Sequence, residues 1–143
     1  MLFDSQRICI AKSETRHMVF SLLGGDGVVL VTDAMAAAGM PDGDYELGPQ
    51  KVRVLDGVAR LHGDGAGSIA GGTLRLLDVV RRCVEVAGVD LADAVAAAST
   101  TPATVLGLQR DVGAIRPGLR ADLIVVDDNL YPLRVMRSGS WVR

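Results

Sequence analysis

The feature of this sequence that most restricts its fold is a continuous apolar run at residues 28–31, which reads Val-Val-Leu-Val. Asp26 and Gly27 precede the run, and Asp33 lies two residues after it. A strand that is apolar on both faces is typical of a parallel sheet covered by helices on each side. The run therefore predicts a central parallel strand that ends close to Asp33.

The composition agrees with an α/β domain. The chain has 143 residues, of which 49% are hydrophobic but only 3% are aromatic, so its core must be built from Val, Leu, Ala and Ile. This length is sufficient for one ordinary core. The formal net charge of −2, with both signs interspersed, provides no basic face for a nucleic acid.

Several further features predict a cytoplasmic protein that does not contact a membrane. The apolar stretches are interrupted well before the eighteen or so residues that a membrane span requires, and no signal-peptide pattern precedes them. Cys9 and Cys83 match no metal-binding or redox spacing, and we expect both to be reduced and buried.

A β-hairpin is predicted after a loop that begins at residue 34. Asp56 and Gly57 separate two β-patterned segments, at residues 45–55 and 58–61, and this dipeptide is a strong signal for a two-residue turn. The chain then returns through a glycine-rich stretch over residues 62–72, which we expect to form a loop that enters a helix directly.

Helices are predicted before and after these β-elements in the sequence. Residues 12–23 could form a short helix that Gly24 ends, and residues 73–87 could form a helix that Gly88 ends. Asp90 is a suitable N-cap for a further helix, and a short one follows and ends near residue 107. The apolar stripe of the 73–87 helix is predicted at Leu74, Leu77, Val80 and Val84. Beyond a boundary at residues 108–112 the pattern becomes rich in turns and strands.

Three stretches together resemble the N-acetylglucosamine-6-phosphate deacetylase family of the amidohydrolase superfamily. They are residues 29–35 (Val-Leu-Val-Thr-Asp-Ala-Met), 68–74 (Ser-Ile-Ala-Gly-Gly-Thr-Leu) and 113–125, which contain a Gly-x-Ile-x-Pro-Gly-x-x-Ala-Asp-Leu run. The last pattern is widespread in amidohydrolases and identifies only the superfamily. The first two, at this separation, narrow the resemblance to the deacetylases.

The resemblance implies an α/β fold: the C-terminal portion of a metal-dependent (β/α)8 amidohydrolase barrel plus part of a small β-sandwich. Residues 27–110 would supply the last barrel strand, its hairpin excursion and the closing helices. Residues 111–143 would supply the C-terminal strands of the sandwich. Residues 1–26 remain an unassigned N-terminal segment.

The resemblance also implies that Asp33 is the catalytic residue. It follows a buried strand, and catalytic groups of a (β/α)8 barrel converge where the strands end. There Asp33 would activate water against the acetamide carbonyl, then protonate the leaving sugar amine, and it could also ligate a divalent metal. Without the flanking match, an Asp after a strand is more often a turn or cap residue.

Ile69, Ala70 and Gly71 are implied to bind the substrate, a small sugar phosphate. Successive backbone N–H groups with little side-chain bulk would let a ligand approach closely. Glycine-rich entries to helices are common, however, and this one lacks the Lys-Ser/Thr pair of a nucleotide P-loop.

The histidines do not provide a metal site. His17 and His62 are the only two, and neither matches a metal-binding position of the family. The intact family enzyme holds a divalent metal, zinc or a similar ion, through residues on earlier barrel strands that this chain does not contain. Since a catalytic metal needs about three protein ligands, we expect the chain alone to bind none and to be inactive.

Three functions therefore remain open. The chain could be a truncated deacetylase, or one completed by a complementary chain that carries the earlier strands. It could instead be a non-catalytic relic or interaction module that associates through exposed barrel edges, as a homo-oligomer or with a partner. A nucleotide-binding domain using residues 63–72 is disfavoured, because that stretch follows a hairpin rather than a buried strand.

Overall fold

The apolar run does form a parallel strand. The computed structural model describes Leu2–Phe3 and residues 13–63 and 67–142. Strand β1 (Leu2–Phe3) pairs in parallel with β2 (Val29–Leu30). Val28 and Leu30 are buried, whereas Val29 and Val31 are only partly buried. The burial on both faces that the run predicts is therefore complete on one face only.

The described part of the chain contains four helices. Their bounds are α1 Ser13–Leu23, α2 Leu76–Glu85, α3 Leu91–Ala98 and α4 Thr100–Val105. The predicted helix ends are confirmed at Gly24, whose N–H donates to the Phe20 carbonyl, and at Gly88, whose N–H donates to the Val84 carbonyl. The predicted N-cap is also confirmed, because the Asp90 carboxylate accepts from the N–H groups of Ala92 and Asp93.

The buried face of α2 agrees with most of the predicted stripe. The helix begins at Leu76 rather than at residue 73, and its completely or almost completely buried side chains are Val79, Val80 and Cys83. The predicted Leu74 and Val84 are partly buried and pack against this core, whereas the predicted Leu77 is not among its members. The predicted burial of Cys83 is confirmed, while Cys9 lies outside the described residues.

The first core lies between β2 and helices α1 to α3. Its members are mostly aliphatic and small, as the composition predicts: Phe20, Val28, Leu30, Val79, Val80, Cys83, Ala87, Val89, Ala94 and Ala97. At about 25 cal/mol per Å² of apolar surface, burial of such side chains is the main stabilising contribution to this part of the fold.

The predicted hairpin is part of a four-stranded antiparallel sheet. Its strands, in spatial order, are β3 Gly43–Leu47, β4 Gln50–Leu55, β5 Val58–Leu61 and β6 Ile69–Gly71. Asp56 and Gly57 connect β4 to β5 with φ angles of 51° and 71°, the conformation that a two-residue hairpin turn requires. A second core, comprising Met35, Ala37, Val52, Val54 and Ala59, lies on this sheet.

The prediction that residues 69–72 form a loop at a helix start is wrong. Ile69–Gly71 is strand β6, which pairs with β5 through the partners Arg60–Ile69 and Ala59–Gly71, and α2 begins only at Leu76. The strand has only three residues, Ile, Ala and Gly, so no alternating pattern marks it. It forms because β5 offers a free edge, which is a tertiary contact.

The C-terminal residues form a separate three-stranded antiparallel sheet, with β7 Leu123–Val126, β8 Pro132–Arg137 and β9 Ser140–Val142. The predicted change to β-structure after residue 113 is confirmed, whereas the domain division at residues 108–112 stays a prediction. Helix α2 reaches this region through Arg81, whose guanidinium carbon lies 4.1 Å from the centroid of the Tyr131 ring.

Candidate active site

Asp33 lies where the chain leaves the sheet after β2. Its side chain is exposed, and its backbone has a φ of 48°, in the left-handed region. Asp tolerates this conformation better than bulkier residues because its side chain is short and polar.

The backbone of Asp33 is hydrogen-bonded to the end of β6. The Asp33 carbonyl accepts from the Gly72 N–H at 2.6 Å, and the Gly72 carbonyl accepts from the Met35 N–H at 3.0 Å. Ala34 and Gly72 thus form a parallel bridge. The structure therefore brings the predicted catalytic residue and the predicted substrate-binding segment side by side, although they are far apart in the sequence.

The Gly71 backbone requires a glycine. Its φ is 143°, and a Cβ built there would lie 3.0 Å from the Met35 Cβ and 3.3 Å from the Asp33 carbonyl oxygen. Any side chain at this position would strain the backbone and press against the loop that carries Asp33. Gly71 thus permits the close approach of β6 to that loop.

The other two predicted substrate residues differ in burial. The Ile69 side chain is exposed, whereas Ala70 packs against the second core. An exposed apolar side chain and a neighbouring backbone beside Asp33 could contact a ligand. The role of each residue in substrate binding stays a prediction.

A second set of contacts fixes the segment that follows Asp33. The Gly39 N–H donates to the Thr73 carbonyl at 2.8 Å. The Asp42 carboxylate accepts from the N–H groups of Asp56 and Gly57 at 2.6 and 3.0 Å. Sequence reasoning did not single out Asp42 or Thr73. The only signal for Asp42 in the sequence is that it precedes a glycine in a loop. This signal does not identify the distant residues that Asp42 contacts.

Both histidines contact oxygen atoms of the protein. His17 Nδ1 is 3.2 Å from the Ala87 carbonyl oxygen, and His62 Nε2 is 3.4 Å from an Asp44 carboxylate oxygen. Arg53, which donates to Asp44 at 2.8 Å, holds the pKa of that exposed carboxyl below its usual value. These contacts are ordinary surface interactions.

The described residues do not fit a catalytic metal. Within residues 13–63 and 67–142, no group of three or more His, Cys, Asp or Glu side chains is arranged to hold a metal ion. A catalytic metal generally needs three protein ligands, and Asp33 could supply one at most. No described helix is long and apolar enough to cross a membrane.

Curated relatives of the chain are sugar-phosphate deacetylases. The chain is 41% identical to the N-acetylgalactosamine-6-phosphate deacetylase of Escherichia coli O157:H7 over 78% of its own length and 29% of that protein. It is 36% identical to the N-acetylglucosamine-6-phosphate deacetylase of Lysinibacillus sphaericus over 86% of its length and 31% of that protein. The chain spans less than a third of either relative.

Solved structures give the same result. The N-acetyl-D-glucosamine-6-phosphate deacetylase of Mycobacterium smegmatis superposes with a TM-score of 0.82 at 38% identity, covering 93% of this chain and 35% of that one. A mutant of that enzyme was solved in complex with N-acetyl-D-glucosamine-6-phosphate. The model of the amidohydrolase family matches residues 5–142. The chain, which resembles N-acetylglucosamine-6-phosphate deacetylases over most of its length, therefore belongs to the amidohydrolase family.

Proposed function

We propose that this chain supplies part of the active site of an N-acetylglucosamine-6-phosphate deacetylase. This enzyme would hydrolyse the acetamide bond of N-acetylglucosamine 6-phosphate, which yields glucosamine 6-phosphate and acetate. The observation that supports the proposal is the hydrogen bond between the Asp33 backbone carbonyl and the Gly72 N–H, which joins the Asp33 main chain to the residue that follows the predicted substrate segment. The names of the relatives support the substrate class.

In this proposal Asp33 is the catalytic residue that moves protons. Its carboxylate takes a proton from the water that attacks the acetamide carbonyl, and then gives that proton to the departing sugar nitrogen. A positioned acid–base group of this kind accelerates a reaction by about 10²- to 10⁴-fold. Asp33 is exposed to solvent, which supports this role.

Ile69, Ala70 and Gly71 would contact the sugar in the same proposal. The absence of a side chain at Gly71 brings the backbone of β6 close to the Asp33 loop, so a ligand beside Asp33 would meet the main chain of this strand. N-acetylgalactosamine 6-phosphate, the galactosamine epimer of this sugar, is a second candidate substrate. The 41% identity to an N-acetylgalactosamine-6-phosphate deacetylase favours it.

The remaining parts of the proposed enzyme would come from outside the described residues. We propose a (β/α)8 barrel with a small β-sandwich, in a cytoplasmic enzyme whose divalent metal is held largely by other barrel strands. The absence of a suitable cluster among the described side chains supports this division. The 143-residue chain by itself would then be inactive.

A chimera tests this function directly. The matching third of the Mycobacterium smegmatis deacetylase is replaced by this chain, and acetate release from N-acetylglucosamine 6-phosphate is measured in the presence of Zn²⁺. We expect the chimera to be active and Asp33→Asn to lower its kcat about a hundredfold or more, because the proton-transfer group is lost.

Asp128→Asn is the matched control, since it removes an exposed carboxylate from the β7–β8 connection, and its kcat should equal that of the chimera. Full activity of Asp33→Asn would refute the catalytic role. Acetate release by the isolated 143-residue chain would refute the expected inactivity. Comparing acetate release from N-acetylglucosamine 6-phosphate with acetate release from N-acetylgalactosamine 6-phosphate decides between the two candidate substrates.

A further inference from the structure

The turn between β4 and β5 is hydrogen-bonded to Asp42, at the end of the loop that follows Asp33, and to Thr73, which follows β6. Asp42 is the last residue of the loop over residues 33–42. Its carboxylate accepts from both backbone N–H groups of the turn, at Asp56 and Gly57. The Thr73 hydroxyl donates to the Gly57 carbonyl at 2.5 Å. Neither contact is needed to form a two-residue hairpin turn, because its φ angles are already provided by Asp-Gly.

These contacts and the hydrogen bonds of the candidate active site form one connected hydrogen-bond network. Thr73 follows Gly72, which binds Asp33, and the Thr73 carbonyl also accepts from the Gly39 N–H in the middle of the loop. The loop over residues 33–42 is therefore attached at its start to Gly72, in its middle to Thr73, and at its end to the hairpin turn.

We propose that Asp42 and Thr73 are positioning residues, which use the Asp56–Gly57 turn to hold the Asp33 loop against β6. A carboxylate bonded to two N–H groups is a strong, charge-assisted contact, and exposed loops without such contacts open easily. The inference rests on the proposed function only in taking Asp33 to be the reacting carboxylate. The hydrogen-bond network can be tested without measuring enzymatic activity.

Backbone hydrogen exchange of the 143-residue chain, followed residue by residue by NMR, gives the test. In Asp42→Ala we expect the amides of Gly72, Met35 and Gly39 to exchange about tenfold faster or more, because the loop opens more often. A purely local role in the turn would affect only the amides of Asp56 and Gly57, and this result would overturn the proposal.

Thr73 provides an independent pair of variants. Thr73→Val removes the hydroxyl and should accelerate exchange at the same loop amides, whereas Thr73→Ser retains the hydroxyl and should restore the wild-type rates. The amides of Cys83 and Ala94, which belong to the first core, report on global unfolding. If every amide accelerates alike in both Asp42→Ala and Thr73→Val, the loop is not a separately held unit and the proposal fails.

Asp44→Asn is the matched control for Asp42. Its carboxylate contacts the Arg53 and His62 side chains instead of the turn, so the loop amides should keep their rates. In the active chimera, Asp42→Ala should lower kcat at least fivefold with little change in KM, and Thr73→Ser should not. A chimera that is inactive with Asp42 intact contradicts the proposed function, but leaves the exchange result to decide on positioning.

Discussion

Single residues set the local geometry around Asp33. Asp33 adopts a φ of 48°, and Gly71, which faces it, adopts a φ of 143°. The second value lies in a region that only glycine enters without strain, so β6 can approach the loop only with this residue. The close contact between Gly71 and Met35 joins the backbone of the site to the second core.

Gly71→Ala should lower the free energy of unfolding by about 2–3 kcal/mol, because it adds both backbone strain and a crowded Cβ. The Cβ would lie 3.0 Å from the Met35 Cβ. Urea denaturation followed by circular dichroism measures the change.

Gly48→Ala is its control, since Gly48 also has a positive φ, of 58°, but a Cβ there meets no atom within 4 Å. This substitution should cost only about 1 kcal/mol, the strain of a single left-handed residue. Equal losses for the two variants would show that the contact with Met35 contributes nothing.

At the scale of elements, the superfamily motif has a structural role in the C-terminal sheet. Asp122, the Asp of that motif, lies just before β7 and accepts from the Ser138 N–H, in the β8–β9 turn, at 2.7 Å. The Arg120 side chain donates to its other carboxylate oxygen at 2.6 Å. Asp122 thus connects the start of one strand to a turn that is distant in the sequence, which accounts for a carboxylate at this position.

The same contacts predict the titration of Asp122. The hydrogen bond from the Ser138 N–H is the larger cause and the one from Arg120 the second, and together they lower the pKa of this carboxyl below the usual aspartate value of 3.8. Because the folded-state pKa is lowered, the stabilising contribution is present above the unfolded pKa and is lost as the pH falls through the folded one. Carboxyl-detected NMR should find a titration midpoint below 3.8.

Arg120→Gln tests which contact dominates. The midpoint of Asp122 should rise in this variant but remain below 3.8, because the Ser138 N–H, the larger cause, is still present. A midpoint at or above 3.8 in the unmodified chain would contradict the assigned hydrogen bonds.

At the scale of the whole molecule, the C-terminal sheet presents an uncovered apolar face. Ile124, Val135 and Val142 occupy one row across its three strands, so their side chains share one face. All three side chains are exposed among the described residues. The sheet therefore exposes apolar surface that isolated soluble domains usually cover.

We predict that the chain self-associates through this face unless a complementary chain covers it. Sedimentation velocity should show oligomers that Ile124→Lys dissociates, because a charge cannot be buried there without a partner. Leu55→Lys is the control: Leu55 is 65% exposed and Ile124 is 54% exposed, but Leu55 lies on the other sheet. A monomeric unmodified chain, or equal effects of the two variants, would contradict this prediction.

The sequence alone determined the features whose signals lie within a few residues. The apolar run at residues 28–31 predicted β2 and the position of Asp33 at its end, Asp-Gly predicted the turn at residues 56–57, and Asp90 predicted the start of α3. In each case the signal lies within the residues that form the element, so local preference and final structure agree.

Only the tertiary structure decided how these elements meet. Strand β6 depends on the edge of β5, and the buried face of α2 depends on where its neighbours lie. The contacts of Asp33 with Gly72 and of Asp42 with the Asp56–Gly57 turn join residues that nothing in the local pattern connects. Such contacts form only once the chain has folded, because the energy of each depends on a partner that folding brings close.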